Sequence, residues 1–223
     1  MENSNLLIRY ASDILQEANI EKDKWAVGGG TVLSEIFQHR LSKDIDIFVD
    51  DIQLLSSVSP KINDVSSEAL HYNEGAQFVS LTFPEGKVDF IASPPVTSFQ
   101  ATYKDFCGID VYVEDPVEIV SKKVFYRGNF AVPRDLFDLA VVYKSNRRND
   151  LISALKGMPD KVEALSKGVC HRLDDGNFKL YSIGYQNKLL SKGKNLVDKE
   201  LNICSELFCK VNRDFRIKIP DQR

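Results

Sequence analysis

The residues with the clearest capacity for chemistry lie in the stretch WAVGGGTVLSEIFQHRLSKDIDIFVD, from Trp25 to Asp50. Within it, Asp44 and Asp46 alternate with isoleucines, a pattern typical of a β-strand. Side chains alternate between the two faces of a strand, so both carboxylates are predicted to point one way and the isoleucines into a core. Mg²⁺ is commonly held by one or two carboxylates together with substrate phosphates. The pair therefore predicts a magnesium site.

A run of three glycines precedes this pair, between a short apolar strand at Trp25 to Val27 and a helix predicted over about Thr31 to His39. Glycines allow the backbone to approach an anion closely, and a helix N-terminus attracts phosphate. We therefore expect Gly29, Gly30 and Thr31 to cradle phosphates. By itself, a run of three glycines is ordinarily a plain loop, and an Asp-x-Asp pair is ordinarily a solvated strand edge. Joined by one helix, the two indicate a combined nucleotide and metal site.

The order Gly29-Gly30, then Asp44-Ile45-Asp46-Ile47, resembles the signature of the polymerase-β-like nucleotidyltransferase superfamily. The longer sequence pattern GGGTVL…HRLSKDIDIF is similar to that of the AbiEii/AbiGii-type nucleotidyltransferase toxins. A second block, EIVSKKVFYRGNFAVPRDLFDLAVVY, runs from Glu118 to Tyr143 and resembles the lysine-containing helix and the Arg-Asp-x-x-Asp helix of that family. Together the blocks fall within about the first two thirds of the chain.

This resemblance implies an enzyme that transfers a nucleoside monophosphate from an NTP to a hydroxyl group, with Mg²⁺ or alternatively Mn²⁺ as cofactor. It also implies the toxin of a toxin–antitoxin pair, hence a cognate antitoxin as partner. The acceptor is left open between RNA, such as a tRNA 3′ end, and a protein side chain. Two other functions remain open: a non-catalytic nucleotide- or partner-binding module on the same scaffold, and a kinase-type phosphotransferase.

A third carboxylate, Asp89, lies on a strand predicted over Lys87 to Ala92. Val88 and Phe90 are expected to face one side of the sheet and Asp89 the other. A buried unpaired carboxylate is costly, so Asp89 needs a partner. The resemblance implies that Asp89 completes the metal site or acts as general base. The alternative is a strand-edge aspartate bonded to a loop, and an Asp89 pointing away from the pair would favour the non-catalytic module.

A helix is predicted from Pro116 to about Arg127, with Lys123 and Arg127 one turn apart on one face. Two like charges at this spacing cost a few tenths of a kcal/mol, which an anion such as a triphosphate would relieve. The resemblance matches Lys123 to the functional lysine of the family, with Lys122 as the alternative register. These side chains could instead be ordinary solvent-exposed cations.

Pro133 begins the next predicted helix, on which Asp135 and Asp138 share a face. Acids in a first turn are favoured by the helix dipole alone. The resemblance implies instead an acidic motif that either binds the nucleotide or fixes Lys123 and Arg127.

Arg40 stands shortly before the first aspartate pair, where the resembled family often carries a basic residue. The alternative for Arg40 is an ion pair with Asp44 or with neighbours of the metal-binding carboxylates. The three histidines, His39, His71 and His171, are scattered, and their spacing supports no Ser-His-Asp or Cys-His arrangement.

The 223 residues, 43% hydrophobic, are long enough for a substantial core. We predict an α/β (α+β) fold, with a nucleotidyltransferase-like small mixed β-sheet flanked by helices over residues 1–150 and a helical C-terminal region over residues 151–223. Outside the motifs, further elements are predicted: an amphipathic helix over Asn5 to Glu17, strands over Glu68 to Tyr72, Gln77 to Phe83 and Ile109 to Val113, and helices over Leu151 to Lys156, Lys161 to Ser166 and Leu201 to Val211.

The formal net charge of −3 excludes a protein-wide basic field for nucleic acid, although a local patch would suffice. No apolar run approaches the ~20 residues of a membrane span, which predicts a cytoplasmic protein without membrane contact. The four cysteines contain no CxxC pair, which favours free thiols over a zinc site.

Overall fold

The structure is a computed structural model that describes residues 2–174, 188–190, 192–196 and 199–217. Within those ranges, seven strands form one mixed sheet. They are β1 (Trp25–Gly28), β2 (Ile45–Val49), β3 (His71–Gly75), β4 (Phe78–Phe83), β5 (Gly86–Ala92), β6 (Thr102–Phe106) and β7 (Ile109–Val113). The predicted α/β class is confirmed.

Helices precede, interrupt and follow the strands. They are α1 (Glu2–Glu17), α2 (Gly29–Phe37), the one-turn α3 (Leu54–Ser57) and α4 (Asp64–Ser67), α5 (Pro116–Arg127), α6 (Pro133–Lys144), α7 (Arg148–Lys156), α8 (Pro159–Asp174) and α9 (Glu200–Val211). Across the described part of the chain, no helix combines the length and hydropathy that crossing a membrane requires.

The strand order of the sheet is β3-β4-β5-β2-β1-β7-β6, which places β2 at the centre. β2 runs parallel to β5 and antiparallel to β1, while β1 runs parallel to β7. Along β2, Ile45, Ile47 and Val49 are buried, and the residues between them are half-buried. The alternation predicted from the sequence is therefore present, and it turns one face of the central strands away from the core.

The chain forms two compact units. The sheet unit consists of Met1–Glu35, Ser42–Pro95 and Phe99–Asp115, and the helical unit of Ile36–Leu41, Val96–Ser98 and Pro116–Arg223. The division between residues 150 and 151 that we expected from the sequence stays a prediction.

In the sheet unit, α1 supplies one wall of the core. Its buried side chains recur at helical spacing, as the sequence predicted, and they are Leu7, Ile8, Ala11, Ile14 and Leu15. The ring of Tyr10 stacks on that of Phe83 with centroids 4.3 Å apart. Burying an aliphatic side chain of this size contributes about 1.5–3 kcal/mol, so α1 stabilises the sheet mainly through this stripe.

In the helical unit, α6 is the central element. Every residue from Asp135 to Tyr143 is buried, and α5, α7 and α9 pack against this helix. The Tyr143 hydroxyl donates to Glu206 Oε1 at 2.9 Å and accepts from Arg148 Nη2 at 2.6 Å, which links α6 to α9 and α7. Because α6 is buried on all sides, any charged residue within it must have partners.

Several predicted bounds were wrong. β2 begins at Ile45, so Asp44 precedes the strand. β3 starts three residues after the predicted Glu68, and β6 was not predicted because four of its five residues are exposed and carry no apolar alternation. α8 is longer than predicted, since it continues through the buried Gly168. A glycine inside a helix costs about 1 kcal/mol relative to alanine, and packing of the helix outweighs that cost.

Candidate functional site

Two of the predicted catalytic carboxylates lie side by side on the central strands of the sheet unit. β2 and β5 are parallel neighbours, and their register pairs Asp46 with Asp89. Both residues are half-buried, whereas Val88 and Phe90, which flank Asp89, are completely buried. Asp89 therefore shares a face with Asp46, away from the core. The orientation that would have favoured a non-catalytic module is not the one observed.

Asp44 does not lie on the strand where it was predicted. It lies exposed in the loop before β2, where its backbone carbonyl accepts a hydrogen bond of 2.5 Å from Thr31 Oγ1. Thr31 is buried in the first turn of α2. The helix therefore anchors the Asp44 backbone, and the Thr31 hydroxyl proton is already used in that bond.

The two carboxylate oxygens of Asp89 have unequal surroundings. Oδ2 accepts from Lys87 Nζ at 2.9 Å, on the same strand two residues away. Oδ1 is buried and has no hydrogen-bond partner among the described residues. A buried acceptor without a partner is costly, so Oδ1 is suited to a cation that arrives with a ligand.

A complete metal-binding cage is not present in the described part of the chain, where no group of three or more His, Cys, Asp or Glu side chains could hold an ion unaided. Mg²⁺ does not require such a cage, because it usually keeps several waters and takes further ligands from substrate phosphates. The chemistry of the Asp46 and Asp89 oxygens fits that mode.

The glycine turn touches the carboxylate face directly. Gly29 is the first residue of α2 and has a φ of 70°, in the left-handed region that favours glycine. A Cβ at this position would collide with the Asp46 carboxylate. Gly30 is buried in the same helical turn. The N-terminus of α2, where phosphates bind most readily, is therefore packed against a proposed metal ligand.

A buried carboxylate that the sequence analysis missed, Glu114, lies near the same turn. Its backbone N–H donates to the Val27 carbonyl at 2.8 Å, and its carboxylate occupies space that a side chain at position 28 would need. The available indication was an acid placed directly after the predicted strand Ile109 to Val113.

The helical unit contains a second group of charged residues, centred on Asp138. Asp138 is completely buried and accepts four hydrogen bonds. His39 Nε2 and Arg40 Nε bind Oδ1 at 2.7 and 2.6 Å, and Arg40 Nη2 and Lys123 Nζ bind Oδ2 at 2.8 and 2.5 Å. Two carboxylate oxygens offer about four lone-pair sites, so the hydrogen-bonding capacity of Asp138 is filled.

Asp135, one turn earlier on α6, is bound in a similar way. It accepts from Lys123 Nζ at 3.1 Å, from Arg127 Nη1 at 2.9 and 3.0 Å, and from the Val132 N–H at 3.0 Å. Lys123 therefore bridges Asp135 and Asp138. We call Arg40, Lys123, Arg127, Asp135 and Asp138 the charged cluster.

Electrostatics keep both aspartates of the charged cluster ionised. Burial by itself raises the pKa of the Asp138 carboxyl, but the charges of Lys123 and Arg40 and the hydrogen bonds from Arg40 and His39 outweigh it. The result is a pKa well below its ordinary value. The pKa of Asp135 is also lowered, because Lys123 and Arg127 together with the Val132 N–H overcome burial and the repulsion from Asp138.

These contacts bear on two expectations. Asp135 and Asp138 are anions that relieve the repulsion between Lys123 and Arg127, so that repulsion does not require the predicted triphosphate. Arg40 forms an ion pair with Asp138. Of the two readings of the acidic motif, the contacts match the one in which Asp135 and Asp138 fix the cations.

Lys122 and Lys123 have different surroundings. Lys122 is buried beside Glu118, 3.9 Å away, and the Glu118 carboxylate accepts from the Val96 and Thr97 N–H groups at 2.8 and 2.9 Å. Only 10% of the Lys123 side chain is exposed, against 40% for Arg127. The alternative that both lysines are ordinary solvent-exposed cations is thus wrong. Of the two, Lys123 belongs to the charged cluster.

The chain is similar to two solved structures at low sequence identity. A protein from H. pylori assigned as a nucleotidyltransferase matches at 19% identity and TM-score 0.46, over 95% of this chain and 92% of that one. The nucleotidyltransferase toxin MenT4 of Mycobacterium tuberculosis H37Rv matches at 15% identity and TM-score 0.47, over 99% and 90%. A comparison with curated proteins gives no match.

The comparison with protein-family models is decisive. Residues 13–183, more than half of the chain, match the family described as "Nucleotidyl transferase AbiEii toxin, Type IV TA system". That span includes the glycine turn, the predicted site carboxylates Asp44, Asp46 and Asp89, and the whole charged cluster. The resemblance seen in the sequence is confirmed: this chain belongs to the AbiEii family of nucleotidyltransferase toxins.

Proposed function

We propose that this protein is a Mg²⁺-dependent enzyme that transfers a nucleoside monophosphate from an NTP to a hydroxyl group of an RNA or a protein. The observation that carries the proposal is the in-register pair Asp46 and Asp89, with the Gly29 backbone against Asp46 and a buried Asp89 oxygen that has no hydrogen-bond partner among the described residues. Family membership supplies the reaction class.

Asp46 and Asp89, joined by Asp44 from the preceding loop, would hold Mg²⁺, with Mn²⁺ as the alternative ion. Held by these carboxylates, the ion would supply positive charge that offsets the negative charge developing at the α-phosphorus. Gly29 and Gly30 would receive the outer phosphates through backbone N–H groups at the start of α2.

In the transfer, the acceptor oxygen forms a bond to the α-phosphorus while the bond from that phosphorus to the β-phosphate oxygen breaks. Pyrophosphate leaves with the electron pair. In the alternative in which Asp89 acts as general base and not as metal ligand, the hydroxyl proton goes to its carboxylate. Lys123 and Arg40 would stabilise negative charge on the triphosphate, in orientations set by Asp135 and Asp138.

The partners in this proposal are an NTP, an acceptor and a cognate antitoxin, and the proposed compartment is the cytoplasm. The acceptor is either a tRNA 3′ end or a protein side chain. The first measurement therefore has to identify the acceptor as well as the nucleotide.

The test incubates purified protein with Mg²⁺, each α-labelled NTP in turn, and total RNA plus lysate as acceptors. The variant Asp44→Ala/Asp46→Ala is run in parallel. Asp105→Ala/Asp110→Ala is the matched control, because it removes two exposed aspartates paired across β6 and β7 of the same sheet. We expect label in a macromolecule with wild type and the control, and none with Asp44→Ala/Asp46→Ala.

Three other results would count against the proposal. Label from γ-labelled but not α-labelled NTP would indicate a kinase. Mg²⁺-dependent NTP binding, measured as a rise in melting temperature, without transfer to any acceptor would indicate a binding module. Full activity of Asp44→Ala/Asp46→Ala would show that the metal assignment is wrong.

A further inference from the structure

His39 is a buried titratable residue that the proposed reaction does not use. Its side chain is 1% exposed, and its Nε2 lies 2.7 Å from Asp138 Oδ1. The sequence analysis set this residue aside because it has no nucleophile or metal ligand at a useful spacing. Its contacts within the helical unit indicate what it does.

The hydrogen-bond chemistry determines which ring nitrogen carries the proton. Asp138 is ionised and can only accept, so His39 Nε2 must donate. His39 Nδ1 is buried and has no hydrogen-bond partner among the described residues. Nε2 of the ring therefore carries a proton.

Aromatic packing orients the ring. His39 stacks on Phe137 with centroids 5.6 Å apart and planes 20° apart, and the rings of Phe37 and His39 are nearly perpendicular with centroids 6.4 Å apart. Because no described residue forms a hydrogen bond with Nδ1, these two phenylalanines direct Nε2 towards Asp138.

The backbone around His39 is also held on both sides. Gln38, directly before it, has a φ of 51°, which a residue with a side chain seldom adopts. The His39 carbonyl accepts from the Leu190 N–H at 3.1 Å, and the Leu41 N–H donates to the Lys188 carbonyl at 2.7 Å. A Cβ at Gly193 would collide with the His39 carbonyl. Lys188, Leu190 and Gly193 thus contact the segment that carries both His39 and Arg40.

We infer that His39 is a positioning residue for nucleotidyl transfer. Its Nε2–H fixes the Asp138 carboxylate, and that carboxylate in turn sets the orientation of Arg40 and Lys123. His39 does not touch the substrate in this role. The inference rests on the proposed function, because Arg40 and Lys123 matter to it only as groups that act on the triphosphate.

Two variants distinguish the effect of losing the hydrogen-bond donor from the effect of losing side-chain volume. His39→Gln keeps an N–H donor at a similar reach, whereas His39→Leu keeps apolar volume and removes the donor. We expect His39→Leu to lower kcat/KM for the NTP about 10- to 100-fold, mostly through kcat, because misplacing reacting groups by 1 Å can cost about 100-fold. His39→Gln should restore most of that loss.

Stability is measured on both variants by urea unfolding, and rates are corrected for the folded fraction. A purely structural role would lower rates only in proportion to lost folded protein. Wild-type kcat/KM in His39→Leu, or an equal loss in His39→Gln, would overturn the inference.

A third measurement uses wild-type protein and does not depend on activity. Nitrogen-15 NMR of the His39 ring should show a proton on Nε2. The Arg40 Nε–H should exchange slowly with solvent, and faster in His39→Leu. An Nε2 without a proton, or unchanged Arg40 exchange in His39→Leu, would contradict the inference. If wild type transfers no label yet these spectra are as expected, only the proposed function has failed.

Discussion

The carboxylates of the two units differ in how fully they are paired. In the sheet unit, Asp46 and Asp89 are half-buried, and one buried oxygen of Asp89 has no hydrogen-bond partner in the part of the chain that the structure describes. In the helical unit, Asp135 and Asp138 are almost completely buried, and Asp138 accepts four hydrogen bonds. One pair is incomplete until something binds, and the other is complete without a ligand.

This difference indicates what each pair contributes. An unsatisfied oxygen beside a phosphate-binding turn is suited to receiving a cation with its substrate. A saturated carboxylate cannot take another ligand without releasing one, so its role is to orient the cations around it. We expect this difference between the two aspartate pairs to appear in the free energy of unfolding of variants at each pair.

The largest effect is expected from Asp138→Asn. This change leaves Arg40 and Lys123 without their buried anion, and breaking a buried ion pair on one side costs about 3–5 kcal/mol. Urea unfolding measures the loss. Asp150→Asn is the control in the same unit, since Asp150 pairs with Arg147 at the surface, and it should change stability by about 0.5 kcal/mol at most. Equal effects of the two changes would show that the charged cluster does not hold the helical unit together.

Acid should destabilise wild type through the same two carboxylates. The pKa values of Asp135 and Asp138 are lowered in the folded state, so their contribution is complete above the unfolded value of about 3.9 and is lost as pH falls below it. Unfolding free energies from pH 7 to pH 3 should therefore drop most steeply at the acid end. The drop should be shallower in Asp138→Asn, and an identical profile would contradict the assignment.

A smaller loss is expected from Gly29→Ala. A side chain in the left-handed region costs about 1–2 kcal/mol, and here its Cβ also meets the Asp46 carboxylate. Gly108→Ala is the matched control, because Gly108 has a φ of 85° with nothing within 4 Å of an added Cβ. The difference between the two variants in melting temperature isolates the Asp46 contact. No difference would mean that the turn and the carboxylate do not constrain each other.

The smallest stability change, with a large loss of activity, is expected from Asp89→Asn. Its pair with Lys87 is partly exposed, and such pairs contribute about 0–1 kcal/mol. Transfer of label should nevertheless fall sharply, because a proposed metal ligand is neutralised. Destabilisation as large as that of Asp138→Asn would remove the contrast between the two pairs.

Much of the sheet unit could be predicted from the sequence because its pattern is local. The alternation of Ile45, Ile47 and Val49 with Asp46 follows from strand geometry, and the glycine turn follows from the residues themselves. The edge strand β6 could not be predicted, since its exposed residues carry no such pattern and only backbone pairing with β7 defines it.

The strand alternation, the glycine turn before a helix, the lysine-bearing helix and the family could all be predicted from the amino-acid sequence. The register that pairs Asp46 with Asp89, and the shared contact of Arg40, Lys123 and His39 with Asp138, became known from the folded chain. The reason is physical. Alternation and capping depend on neighbours a few residues away, whereas Arg40 and Asp138 are 98 positions apart and meet only because burial of α6 requires a counter-charge for its carboxylate.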